Sequence, residues 1–339
     1  ESKMITEWTI PTDNTEIKLP VQGTGLNITV DWGDGTAEQT VTTSFPTHTY
    51  VAAGTYEIKV SGTCPMFGNW GTSKIDSSSN YYTYMQYLTK VKQFGELNAT
   101  RYGFAYCTNL TEIKGATENS TKQVTSMANM FFGCSGLQSV DFTNFNTNNV
   151  TNMLQMFWTC SKLTSIDFNG FNTSKVTSMS GMFYGCTNLT NININIFDTS
   201  NVTSMRNMFN GCTSLANINL NNFKTSKVTT IYGMFSNCSN LTSLDLSNFD
   251  TSKITSMESM FYKCGNLTNL NVSEFDTSNV TSMKCMFYNC SNLTSLNVNK
   301  FNTSNVTDTT FMFYGCSNLT SLDVSNFDTS KVTDMRCMF

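Results

Sequence analysis

Residues 238–264 read CSNLTSLDLSNFDTSKITSMESMFYKC, opening on Cys238 and closing on Cys264. The step between those cysteines, 26 residues, is kept by Cys134, Cys160, Cys186, Cys212, Cys238, Cys264, Cys290 and Cys316. Other columns follow it: Val150 to Val332 with Ile254 in the series, Phe145 to Phe327, and 16 of the 19 methionines in the phases of Met257 and Met260. A fixed period of this length marks a solenoid, because a single coil cannot bury its apolar side without neighbours. Within the coil, Leu241, Leu244 and Leu246 are spaced for a short strand whose Ser243, Asp245 and Ser247 point outward. Phe249 then enters the core, and Asp250, Thr251 and Ser252 supply side chains that bond backbone groups in a turn. Ile254, Met257, Met260, Phe261 and Cys264 come next, spaced like one face of a short helix. The expected fold is an α/β solenoid with one short strand and one short helix per coil.

The period also divides the chain. Residues 134–339 are regular, and the array is expected to run on past Phe339. Residues 81–133 hold irregular units, marked by Cys107, Leu110 and Ile113, of the kind that cap the end of an array. Residues 1–62 alternate with period two instead. Ile28, Val30 and Trp32 form one such run and Tyr56, Ile58 and Val60 another, so a small all-β sandwich is expected there. Residues 63–80, with Gly68, Gly71 and a serine run, read as a junction.

Composition narrows the function. Charged residues make up 13% and the net charge is −4, against the basic stripe that nucleic acid requires. No apolar run approaches the ~20 residues of a membrane-spanning helix, so no transmembrane segment is expected in the visible chain. His48 is the only histidine, which leaves little material for a Ser-His-Asp triad or a histidine metal site. No catalytic residue, cofactor or metal is expected. Thr, Ser and Asn number 52, 37 and 41 of 339 residues and form the polar side of each coil. The two threonine columns, Thr147 to Thr329 and Thr151 to Thr333, read as local turn and capping residues. The eight in-register cysteines read as a reduced core ladder, since parallel side chains on adjacent coils suit a disulfide poorly.

Two segments carry a resemblance. VDWGDGT at 30–36, followed by HTYVAAGTYEIKVSG at 48–62, resembles a PKD-like domain of immunoglobulin type. The 26-residue units, with L-x-x-L-x-L, NFDTSKITSM at 248–257 and MFYGC, resemble the BspA-type leucine-rich repeats of bacterial surface proteins over roughly residues 100–339. The resemblance implies an extracellular protein on the bacterial cell surface. Its partners would be a protein or glycan of a host, matrix or neighbouring cell, and it carries over no catalytic residue.

One column varies in a way that core columns do not. It holds Phe132, Trp158, Tyr184, Asn210, Ser236, Tyr262, Tyr288 and Tyr314. Tolerance of Asn and Ser at one phase points to partial exposure, and a row of exposed rings suits a protein or sugar surface. Trp158, Tyr184, Tyr262, Tyr288 and Tyr314 are the candidate ligand-binding residues, the other reading of the column being that its rings lid the helical edge against their neighbours; for the chain as a whole the alternative is a structural spacer or self-associating stalk without a ligand.

Overall fold

The computed structural model describes residues 3–68, 81–97 and 102–339. Most of the expected junction, residues 69–80, lies outside them. The chain divides into two compact units, residues 1–150 with 156–172, and residues 151–155 with 173–339.

The first unit begins with β1 (Met4–Ile10), β2 (Thr15–Lys18), β3 (Val21–Gln22), β4 (Asn27–Asp31), β5 (Gln39–Val41), β6 (Thr47–Tyr50), β7 (Gly54–Thr63) and β8 (Met66–Phe67). A single helical turn, α1 (Tyr81–Met85), leads into β9 (Leu88–Gln93), β10 (Glu112–Ile113) and β11 (Ser139–Val140). Seven strands share one sheet in the order β11-β10-β9-β1-β7-β4-β5. β1, β7, β4 and β5 pair antiparallel, whereas β9, β10 and β11 pair parallel, as stacked coils must. β1 runs antiparallel along the other edge of β9 and thereby closes the row of unpaired backbone groups that the parallel ladder would otherwise expose. The period-two patterning accounts for the core: Trp8, Ile28, Val30, Trp32, Ile58 and Val60 are buried. On the opposite face Glu7 meets Lys90 and Lys92, and Lys92 also reaches Glu57.

In the repeats the strand segments are short: β12 (Ser165–Asp167) in the first unit, then β13 (Asn191–Asn193), β14 (Ser243–Asp245) and β15 (Asn269–Asn271) in the second. Leu244 pairs with Leu270 in a parallel register one repeat apart. Leu241, Leu244 and Leu246 are buried, with Ser243, Asp245 and Ser247 exposed, as the spacing requires.

The expected short helix is absent from the coils; α1 is the only helix among the described residues. Among the described residues regular structure is almost all strand, and no sheet closes into a barrel. The segment from Met257 to Cys264 is a succession of tight turns, and its hydrogen bonds explain why. Met257, Ser259, Phe261 and Lys263 donate their N–H groups to the carbonyls of Ser282, Lys284, Met286 and Tyr288 in the next coil, at 3.0, 2.9, 3.0 and 2.7 Å. The alternate residues Met260, Tyr262 and Cys264 donate backwards to Met257, Ser259 and Phe261 at 3.3, 3.2 and 3.1 Å. An α-helix would turn each N–H past its first turn back to the carbonyl four residues earlier. Here half of them join coils. The geometry needs a left-handed residue every fourth position, at Ser259 (φ 56°) and Lys263 (φ 59°). The same phases hold Gly181, Asn207 and Gly233, and Gly185, Gly211 and Asn237, all at positive φ.

The threonine columns also differ from expectation. Thr225 is buried, donates its hydroxyl to the Asp250 carbonyl at 3.0 Å and accepts the Asp250 N–H at 2.8 Å. Thr121, Thr147, Thr277 and Thr303 make the same bracket. These hydroxyls tie neighbouring coils together instead of capping a local turn. The exposed column does likewise, with Thr229 donating to the Thr203 carbonyl at 3.2 Å. All twelve cysteines are free thiols. Cys238 and Cys264 donate Sγ–H to the carbonyls of Phe209 and Phe235, each at 3.1 Å.

Candidate functional site

The candidate column lies on the turn side of the coils, one residue after the buried phenylalanine column. In the second unit that core column is a continuous stack, with Phe209, Phe235, Phe261 and Phe287 at centroid spacings of 5.8, 6.0 and 5.6 Å. Each core ring fixes the backbone that carries the following side chain, so Tyr262, Tyr288 and Tyr314 are stepped by one coil. Tyr262 and Tyr288 stack at 4.8 Å with 16° between planes, and Tyr288 and Tyr314 at 5.3 Å with 17°. Tyr262 and Tyr288 are half-buried, and Tyr314 is 41% exposed.

The other two expected residues stand apart from this trio. Trp158, in the first unit, stacks on Phe132 at 5.8 Å. Tyr184, half-buried in the second unit, is separated from Tyr262 along the column by Asn210 and Ser236. The column thus includes a stacked Phe132–Trp158 pair in the first unit and, in the second, a three-ring strip set off from Tyr184 by Asn210 and Ser236.

The structure adds members that the spacing alone did not single out. Phe311 sets its edge against Tyr288 and Tyr314 at 5.9 and 5.6 Å. Lys263 places its ammonium 5.2 Å from the centre of the Tyr262 ring, and Arg206 places its guanidinium 4.7 Å from that of Tyr232. Phe311 occupies a phase otherwise filled by Ser, Asn, Gly, Gln or Cys, a departure visible in the sequence once the columns are aligned.

The aspartates on the polar side of the coils are spent in local turns. On the strand face Asp141, Asp245 and Asp323 each accept the N–H two residues ahead, at 2.9, 3.0 and 3.0 Å. The Ser247 amide and hydroxyl hold the Asp245 carboxyl below its ordinary range. A second column, including Asp250, Asp276 and Asp328, closes the following turn in the same way. Among the described residues no three His, Cys, Asp or Glu side chains converge as metal ligands.

In the N-terminal region the two pieces of the WGDGT and HTY pattern meet. His48 stacks on Trp32 at 4.7 Å, and its Nε2 lies 2.7 Å from Asp34 Oδ2. Burial raises the Asp34 carboxyl, but bonds from the Thr36 hydroxyl, His48 and the Thr36 amide outweigh it and bring it down to about 2. The Tyr50 hydroxyl donates to the Trp32 carbonyl at 2.8 Å. His48 is thus built into the packing of the β region, with both its ring and its nitrogen engaged.

Coils joined one repeat apart by backbone, threonine and ring stacks define the class: a repeat protein with a ring-bearing edge. The family model described as "Mycoplasma protein of unknown function, DUF285" matches residues 98–195, 186–271 and 265–339. The chain belongs to that family. No curated protein matches it. Among solved structures, a leucine-rich cell surface protein from Faecalibacterium prausnitzii A2-165 is similar at 18% identity, over 69% of this chain and 70% of that one, with a TM-score of 0.31. That likeness is too distant to bear on fold or function. No helix among the described residues is long and apolar enough to cross a membrane.

Proposed function

We propose that the chain is a non-enzymatic interaction module of the bacterial cell surface. In this reading the repeats form a rigid solenoid, and the PKD-like β region displays it extracellularly. The single observation that carries it is the strip of Tyr262, Tyr288 and Tyr314, stacked and partly exposed on the turn side of the coils. The repeats' resemblance to BspA-type units supports the surface location. A protein or glycan of a host, matrix or neighbouring cell is the partner class, and several copies on one cell would raise avidity without stronger single contacts.

The alternative is a spacer or self-associating stalk. The continuous hydrogen bonding between coils favours it, since that bonding gives stiffness whether or not a ligand exists. One experiment separates the two. Trp158, Tyr184, Tyr262, Tyr288 and Tyr314 are replaced together by Ser in the full chain on a cell surface. Adhesion to cells or matrix is lost if the column binds and unchanged if the chain is a spacer.

A further inference from the structure

The tyrosine strip is suited to an unusual mode of contact. Aromatic side chains commonly hold a sugar by offering a ring face. Here the central ring has no face to offer: Tyr288 is covered on one side by Tyr262 and on the other by Tyr314, each of which spends one face on it, with Phe311 edge-on beside them. What repeats on every coil of the strip is an outer ring edge with its phenolic oxygen. None of the three hydroxyls has a hydrogen-bond partner among the described residues, in contrast to Tyr50 and Tyr56, whose hydroxyls bond to Trp32 and Ala52. The strip is therefore a ladder of three unspent donor–acceptor groups, one per coil, on rings spaced at 4.8 and 5.3 Å.

That spacing selects a ligand. An extended peptide presents same-side groups about every 6.6 Å, twice the rise per residue, and falls out of step with the ladder within a few coils. Nucleic acid is opposed by the net charge of −4. Within four residues of the strip's rings the chain carries charges of both signs, Glu258, Lys263 and Lys284, which do not select a strongly charged polymer. A β-1,4-linked glycan is neutral and ribbon-like, and advances per hexose by nearly the same distance as the stack advances per coil. We propose that Tyr262, Tyr288 and Tyr314 bind such a glycan along the coil axis, one sugar per hydroxyl. This rests on the interaction reading above and names its ligand class.

The test uses the full chain and three probes, cellohexaose, chitohexaose and xylohexaose, with maltohexaose as the α-linked control. Binding is read by isothermal titration. At least one β-1,4 probe binds and maltohexaose does not. The triple variant Tyr262→Phe, Tyr288→Phe, Tyr314→Phe keeps the ring stack and the melting temperature while affinity drops about tenfold or more. Failure of all three probes to bind, equal binding of maltohexaose, or undiminished binding by the Phe variant overturns the proposal. If the five-residue Ser variant loses adhesion while no β-1,4 probe binds, the interaction reading stands and the glycan assignment alone falls.

Discussion

Thr225→Val is the sharpest test of how the coils are held together. Valine has nearly the shape of threonine and is the more apolar, so a core governed by transfer free energy would accept it at a site only 3% exposed. The structure argues the reverse. The Thr225 hydroxyl serves both the carbonyl and the N–H of Asp250, at 3.0 and 2.8 Å, and valine leaves both without a partner. A buried polar group stripped of its partner costs about 1–3 kcal/mol, and the exposed Asp250 side chain lets water relieve part of that. The expected loss is about 2–4 kcal/mol. Thr225→Ser keeps the hydroxyl and gives up one methyl, about 1 kcal/mol. Urea unfolding followed by circular dichroism ranks the three proteins, and exchange of the Asp250 amide reports the bracket directly. A valine variant as stable as the serine variant, or more so, refutes the bracket as a source of stability.

Thr309 stands in the column of Met257 and Met283 with its hydroxyl buried and unpartnered, so Thr309→Met should raise stability by about 1–3 kcal/mol; an unchanged or lower urea midpoint counts against this. The exposed Cys337 thiol should alkylate first and the half-buried Cys285 more slowly. Burial pushes the Cys264 thiol up to about 12, so it should stay unlabelled at pH 8 until the chain unfolds, and mass mapping of the labelled sites checks this order. The Asp34 carboxyl is depressed in the folded state, so its contribution is present above its ordinary pKa near 4 and is lost as pH falls toward about 2. Asp34→Asn should remove that acid limb from the stability-versus-pH curve, and an unaltered limb would place the acid sensitivity elsewhere.

The column structure was legible because each buried side chain in a stack rests on its own copy in the next coil. Leu244 over Leu270 and Phe235 over Phe261 are consequences of a repeated sequence, and so is the ladder of free cysteines. The Met257-to-Cys264 segment was misread as helical because an apolar spacing of three and four fits a run of tight turns equally well. The sign that separates the two was present in the recurring Gly and Asn at the phases of Ser259 and Lys263. The candidate column was legible as a column only. The separation of Tyr184 from the three-ring strip follows from Asn210 and Ser236 in between, but which ring surfaces the stacking covers does not.

By itself, then, the sequence determined the period, the buried columns and the polar side of each coil, since stacking copies of one unit gives every position the same surroundings. The tertiary structure decided where each backbone N–H and threonine hydroxyl finds its partner. A donor such as Ser259 N–H can turn back on its own coil or reach the next, and only the neighbouring coil settles which. It also decided that Tyr262, Tyr288 and Tyr314 stack on one another, because each ring lies within van der Waals reach of the ring one coil away.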